Sequence, residues 1–170
     1  LIVLDIETEG LCPYYGQRIT SIAAKDTNNN DWYEGVGGSE HALIAAFLSW
    51  LHKRCSMTHA IVTHNGKNFD VPYIIARFDM LVGQSEPAKG ILLRYDHYDT
   101  REMAELVGEK WRSLDALSKK YGIKQKSGSG LWAIDLWKQC RHDELLKYNK
   151  QDVRVTEQLY IKLKEKIENG

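Results

Sequence analysis

A chain of 170 residues, 43% apolar and 27% charged, holds one core of α/β size and is too apolar to be disordered throughout. Lys plus Arg and Asp plus Glu number 23 each, so the formal charge is zero, and a protein that coats nucleic acid indiscriminately, which needs a clear basic excess, is excluded. The longest nearly apolar run, residues 42–51, is about half the length of a bilayer-spanning helix, so no membrane segment is expected.

Cys12, Cys55 and Cys140 are odd in number and far apart, which speaks against a disulfide framework or a zinc site and for a reducing, cytoplasmic (intracellular) setting. The chain opens at Leu1 inside a strand-like run, so the expectation is a domain trimmed or excised from something longer.

Residues 1–6 predict a buried strand, followed by a turn-rich segment over 8–16. Residues 19–25 and 30–35 predict two more strands around the turn Asn28-Asn29-Asn30, so the chain begins as a β-meander. Over 39–55, Leu43, Ala46, Phe47, Trp50 and Leu51 recur at helical spacing, with Ser39 as N-cap. Residues 60–63 predict a short strand, and Pro72 fits the first turn of a helix running from Asp70 to about Met80. Residues 92–95 are expected to form the last strand. Asp99 and Glu102 then resemble a capping box, and residues 113–121 predict a helix stopped by Gly122. Residues 127–130 read as a flexible Ser-Gly loop within a single domain, 1–170, and helices fill the remainder. The order predicts an α/β fold, a mixed sheet of about five strands with helices on its faces.

Asp5 and Glu7 stand two apart on the first strand, so the pleat puts both on one face with Leu1 and Val3. Either the strand is ending in solvent there, or the like charges share a cation. Asp70 follows Asn65 and Phe69 at a strand-to-helix junction, as an N-cap or as a site residue. In the last helix Leu145, Tyr148, Asp152, Val155 and Leu159 recur at steps of three and four, beside a seam of Leu146, Val153, Tyr160 and Ile167. A carboxylate inside an apolar stripe is expensive to bury unless Arg154, another base or a cation compensates it. Tyr148, one turn earlier, is either a neighbour in that site or a core tyrosine.

Together these residues spell Asp-x-Glu on a first strand, Asn-x3-Phe-Asp at a helix start and Tyr-x3-Asp on a late helix. The pattern resembles the DEDD exonucleases of the ribonuclease H-like superfamily, with all three motifs in order across residues 5–152. It resembles their tyrosine subgroup, because the position at which the histidine subgroup carries its histidine is Lys147 here. The segments Leu4-Asp5-Ile6-Glu7-Thr8, residues 65–73 and Ser113-Leu114-Asp115-Ala116-Leu117 look most like the exonuclease domain of family-B DNA polymerases and their stand-alone relatives. Two departures are His64, where a tyrosine is more usual, and a stretch over 92–111 too short for the extra β-hairpin of such polymerases.

The resemblance implies a ribonuclease H-like fold and a metal-dependent 3′→5′ exonuclease acting on the 3′ end of single-stranded DNA or RNA, DNA favoured. It implies two divalent ions, Mg²⁺ or Mn²⁺, bridged by Asp5, with Glu7 and Asp152 at one and Asp70 at the other. Tyr148 would orient the attacking water, since a phenol with a pKa near 10 is a poor base at neutral pH. Thr8, Asn65 and Phe69 would meet the substrate, although Asn65 can equally hold its loop and Phe69 can equally be core. A larger repair or replication protein is the implied partner if the domain was excised. Two other readings stand beside this one: an RNA exonuclease like RNase D or an oligoribonuclease, and a non-catalytic nucleic-acid-binding module.

Asp99 is expected to be the helix cap rather than a fifth ligand, and His52, Cys55 and His59 to be spaced by coincidence. Between Lys110 and Lys126, six bases face the single acid Asp115, which makes that segment either a rim that tracks a nucleic-acid backbone or a solvated face.

Overall fold

The computed structural model describes residues 1–54, 60–123 and 130–169. Strand β1 (Ile2–Thr8) is the middle of a five-stranded sheet, with Ile2, Leu4 and Ile6 packed into one layer and Val3 into the other. β2 (Ile19–Asp26) and β3 (Asp31–Val36) complete an antiparallel meander that turns at Asn30, where φ is +58°. Helix α1 (Glu40–His52) begins at Ser39, whose Oγ accepts from the Ala42 N–H at 3.4 Å, the predicted cap. It crosses to β4 (Ala60–Thr63), which lies parallel to β1.

Then come α2 (Asp70–Val82), α3 (Glu86–Leu92), β5 (Asp96–Asp99), α4 (Thr100–Leu106), α5 (Leu114–Lys120), α6 (Gly130–Lys138) and the long α7 (His142–Asn169). The strand order β3-β2-β1-β4-β5 puts the meander at one edge and the parallel strands at the other. One core layer lies between the sheet and α1, α2 and α3; the second lies between the sheet and α4, α5 and α7. A smaller cluster of Ala133, Leu136, Leu145 and Tyr148 joins α6 to α7. The fold is the mixed, helix-flanked sheet that the sequence predicts.

The last strand is displaced from its expected place. Leu92 closes α3 and is buried in the α1 layer with Tyr95, whose hydroxyl donates to the Leu51 carbonyl at 2.8 Å. Leu92 and Tyr95 therefore owe their apolar character to the helix end and the turn after it, Leu93 being exposed, and the strand follows as the polar edge β5, Asp-His-Tyr-Asp. Cys55, His59 and the Ser127 to Ser129 loop lie outside the described residues, and Gly130 begins α6. Among the described residues no helix is long and apolar enough to cross a membrane.

Ser113 caps α5 by accepting from the Ala116 N–H at 3.3 Å, and the turn before it, between α4 and α5, is unusually well anchored. Gly108 takes φ +79°, and the Glu109 N–H returns to the Ala104 carbonyl at 2.9 Å. The Glu109 carboxylate accepts from Lys120 Nζ, from the Tyr121 hydroxyl at 2.8 Å and from Lys166 Nζ at 3.2 Å. These donors, Lys120 foremost, hold its carboxyl down at about 2. With the folded-state value below the unfolded one, the stabilisation is present above about pH 4.5 and is lost as the pH falls toward 2. Thermal melts from pH 6 to pH 2.5 are expected to show a shallower acid loss of stability in Glu109→Gln than in the wild type, with the two curves converging at the acid end.

Candidate active site

The pleat of β1 carries Asp5 and Glu7 to the α7 side of the sheet, and small residues lie opposite them on β2, Ala23 facing Asp5 and Ser21 facing Glu7. Both small residues are fully buried, so the sequence lets α7 settle close over the acids. Asp152 enters from α7, and carboxylate oxygens of Asp5, Glu7 and Asp152 all lie within 4.8 Å of one another. Glu7 and Asp152 are only 8% and 4% exposed, so this mutual repulsion is poorly screened by water. An all-oxygen, all-anionic donor set of this kind fits a hard divalent cation such as Mg²⁺ or Mn²⁺. Arg154, the base offered by the sequence as a partner for Asp152, lies over the Trp32 ring at 5.2 Å.

Asp70 is the first residue of α2 rather than its cap, a position that Phe69 occupies. Its Oδ1 accepts from the Ile6 N–H at 3.0 Å, between Asp5 and Glu7 in sequence, so it adjoins the trio without belonging to it. Burial, augmented by the nearby charge of Asp99 and opposed by the Ile6 N–H, pushes its carboxyl up to about 7. A cation there would compete with that proton.

The loop that delivers Asp70 is fixed from the other side by Asp99. Its carboxylate caps α4 through the Arg101 N–H at 2.9 Å, as predicted, and also accepts from Asn65 N at 2.8 Å and Lys67 N at 3.1 Å. Glu102, the other member of the expected capping box, pairs with Lys67 Nζ at 2.6 Å. Asn65 takes φ +65°, and at Gly66 a Cβ would stand 2.5 Å from Thr63 Cβ, so no larger residue fits the turn.

Tyr148, 2% exposed, sits one helical turn before Asp152 and meets Trp132 edge-on at 5.4 Å. An open cleft of about 520 Å³ leads to Asp5 and Asp152, with Asn65 and Arg101 on one wall and Lys110, Trp111 and Arg112 at the rim. Of the residues expected to meet substrate, Asn65 both lines this cleft and holds its loop, through Oδ1 accepting from Arg101 Nη1 at 3.0 Å. Phe69 and Thr8 do not line it. Phe69 packs on Tyr73 at 5.2 Å and on the core, and the buried Thr8 donates to the Gly10 carbonyl at 2.7 Å. Of the described bases in the basic segment, Lys110 and Arg112 reach the cleft and Lys120 is turned to Glu109; Lys124 and Lys126 lie outside the described residues.

One residue escaped sequence reasoning. Asn149, fully buried on α7, donates from Nδ2 to Asp5 Oδ2 at 2.6 Å, and its Oδ1 accepts from Ser21 Oγ at 3.1 Å. The signal lay in the spacing, since 149 and 152 are three apart on the same helix face.

Two helical layers around a mixed sheet, with acids gathered at the carboxyl end of its central strand, define the class, and comparison with known proteins agrees. A family model described as the RNase_H superfamily matches residues 2–164, and the chain belongs to that superfamily. That membership supports a nuclease. Among the curated proteins no match is found. Among solved structures the chain is similar to the family B DNA polymerase from the hyperthermophilic archaeon Pyrobaculum calidifontis, with a TM-score of 0.72 and 18% identity. The similarity covers 95% of this chain and 24% of the polymerase, so the chain spans about a quarter of that protein.

Asn149 orients Asp5, so Asn149→Ala is expected to weaken divalent-ion binding roughly 10- to 100-fold. Titration of Mn²⁺ by calorimetry, with Asn149→Ser as a second variant of lower packing disturbance, checks this directly.

Proposed function

We propose that the chain is a divalent-metal-dependent 3′→5′ exonuclease that removes nucleotides from the end of single-stranded nucleic acid, with DNA the favoured substrate. The observation that carries the reading is the convergence of Asp5, Glu7 and Asp152 within 4.8 Å beside an open cleft that Asp5 and Asp152 line, with Asp70 bonded to the intervening strand residue. The preference for DNA and for 3′→5′ polarity rests on the three motifs, Tyr148 among them, and agrees with the likeness to a family B DNA polymerase. Through that same likeness, work within or beside a larger repair or replication protein is part of the proposal.

In this reading Asp5, Glu7 and Asp152 hold one divalent ion, and Asp5 and Asp70 hold a second. When bound, such ions acidify water, neutralise charge on the phosphate and stabilise the leaving oxygen. The chain's own residues do the rest. Asn149 fixes Asp5 through a hydrogen bond from Nδ2 to Oδ2. Tyr148 offers a hydroxyl to orient the attacking water, and its ring is held by Trp132. The Asp70 carboxyl, which burial pushes up to about 7, would have to be ionised to hold an ion. Asn65 and Arg101 form a wall of donors for the terminal phosphates.

Labelled single-stranded DNA and RNA oligomers, incubated with and without Mn²⁺, are expected to shorten from the 3′ end with the wild type and to survive with Asp5→Ala. Tyr148→Phe is expected to retain activity reduced roughly 10- to 100-fold, because the metal site is intact. Equal degradation by the wild type and Asp5→Ala, or none under any metal condition, would overturn the reading.

A further inference from the structure

Of the five tryptophans in the chain, four are partly buried and engaged within the protein. Trp32 carries Lys150 and Arg154 over its ring, Trp50 meets Tyr33 at 6.1 Å, Trp132 meets Tyr148 and Trp137 stacks on His142 at 5.0 Å. Trp111 is the exception: it is 80% exposed, has no ring contact or hydrogen bond among the described residues, and lines the cleft that ends at Asp5 and Asp152.

We propose that Trp111 is a stacking platform for a base of single-stranded nucleic acid, flanked by Lys110 and Arg112 as phosphate contacts, so that the turn between α4 and α5 leads the strand to the acids. The proposal rests on the nuclease reading for its substrate class and extends it to a binding subsite.

Three features favour this occupant. The backbone that carries the indole is anchored, because the Glu109 carboxylate two residues earlier is clamped to Lys120, Tyr121 and Lys166 on α5 and α7 and on the segment between them. A tryptophan has only two side-chain torsions to immobilise, so it loses little conformational entropy when a base lands on it. The charges are complementary: Lys110 is exposed and in no ion pair among the described residues, and Arg112 pairs with Glu105 at 2.6 Å across a solvent-facing contact that a phosphate can replace. Finally, Asp5 and Asp152 repel a polyanion, so the strand needs attraction elsewhere in the cleft, and Arg101, Lys110 and Arg112 line it against one further acid, Asp115. A π-face with point-charge neighbours reads neither base identity nor sugar, so the platform serves DNA and RNA alike.

The test is equilibrium binding of the full chain to fluorescently labelled DNA and RNA oligomers of one sequence, in EDTA so that nothing is cut. Trp111→Ala is expected to weaken both about tenfold and Trp111→Phe to stay within about twofold of the wild type. With unlabelled oligomers, the quenching of indole fluorescence seen in the wild type is expected to vanish in Trp111→Phe although that variant still binds. Melts verify the fold, which an exposed side chain should not disturb. Trp111→Ala binding both oligomers as tightly as the wild type, quenching that persists in Trp111→Phe, or a wild type that binds neither oligomer would each overturn the platform. Cleavage in Mn²⁺, read separately, distinguishes the two proposals: Trp111-dependent binding without cleavage supports the platform and removes the nuclease reading, and cleavage with unaltered Trp111→Ala binding does the reverse.

Discussion

Strand β1 runs past the end of its parallel neighbour: β4 stops at Thr63, and its pairing with β1 is confined to Ile2 and Val3. Beyond that point the N–H groups of β1 on this side need another acceptor, and Asp70 Oδ1 takes that of Ile6 at 3.0 Å. A buried donor left unsatisfied would cost about 1–3 kcal/mol, so the bond locks the start of α2 to the strand that carries Asp5 and Glu7. The gap between two parallel strands, at their carboxyl ends, is where open α/β sheets hold ligands, and here one carboxylate both closes the gap and borders the acid cluster. The same logic secures the other flank. Glu40 accepts from the Ile19 N–H at 2.8 Å and from Arg77 through two bonds, and Arg77 Nη1 donates to the Pro13 carbonyl at 3.0 Å. One buried ion pair thus ties α1, α2, β2 and the loop after β1 together, with the remaining donors and acceptors used on backbone groups, the condition under which such a pair can be tolerated in a core.

Charge is distributed unevenly. The total is zero, yet Asp5 and Asp152, two of the three converging acids, share their cleft with Arg101, Lys110 and Arg112, against one further acid, the exposed Asp115. A neutral chain can therefore present a local field to a polyanion without the surface excess that would make it bind nucleic acid everywhere. The division has a structural basis. The acids ride on regular elements, β1, α2 and α7, whose packing sets their separations, and Lys110 and Arg112 ride on a turn whose position is fixed by the buried Glu109.

Local signals made most of this legible. Alternation along β1 put Asp5 and Glu7 on one face, the α7 stripe put Tyr148 and Asp152 inside, and caps at Ser39 and Asp99 marked helix starts. What could not be read was non-local or polar. The partner of Asp70 lies 64 residues away, and nothing near Asp70 distinguishes a carboxylate aimed at a strand from one that caps its own helix. Asp99 was readable as a cap, but its grip on the Asn65 and Lys67 amides, 34 and 32 residues distant, was not. β5 was misplaced because an edge strand need not be apolar, and the apolar residues just before it belong to a helix packed on α1. The basic run was too coarse a signal: among its described residues Lys110 and Arg112 face the cleft, joined there by Arg101 from α4, and Lys120 does not.

Asn149 shows why the least conspicuous member of the site is an amide. A carboxylate can only accept, so the group that orients Asp5 must donate, and on α7 a lysine or arginine would do so with greater strength. Either would also bring a full positive charge into contact with an acid, meeting part of the electrostatic demand that makes the cluster attractive to a cation. Asn149 supplies direction without charge: Nδ2 fixes one oxygen of Asp5, and because that carboxylate only accepts, the amide cannot turn over without losing the bond. The three carboxylates thereby retain the negative charge that favours a divalent ion, while their spacing and their oxygen-only chemistry determine which ion fits.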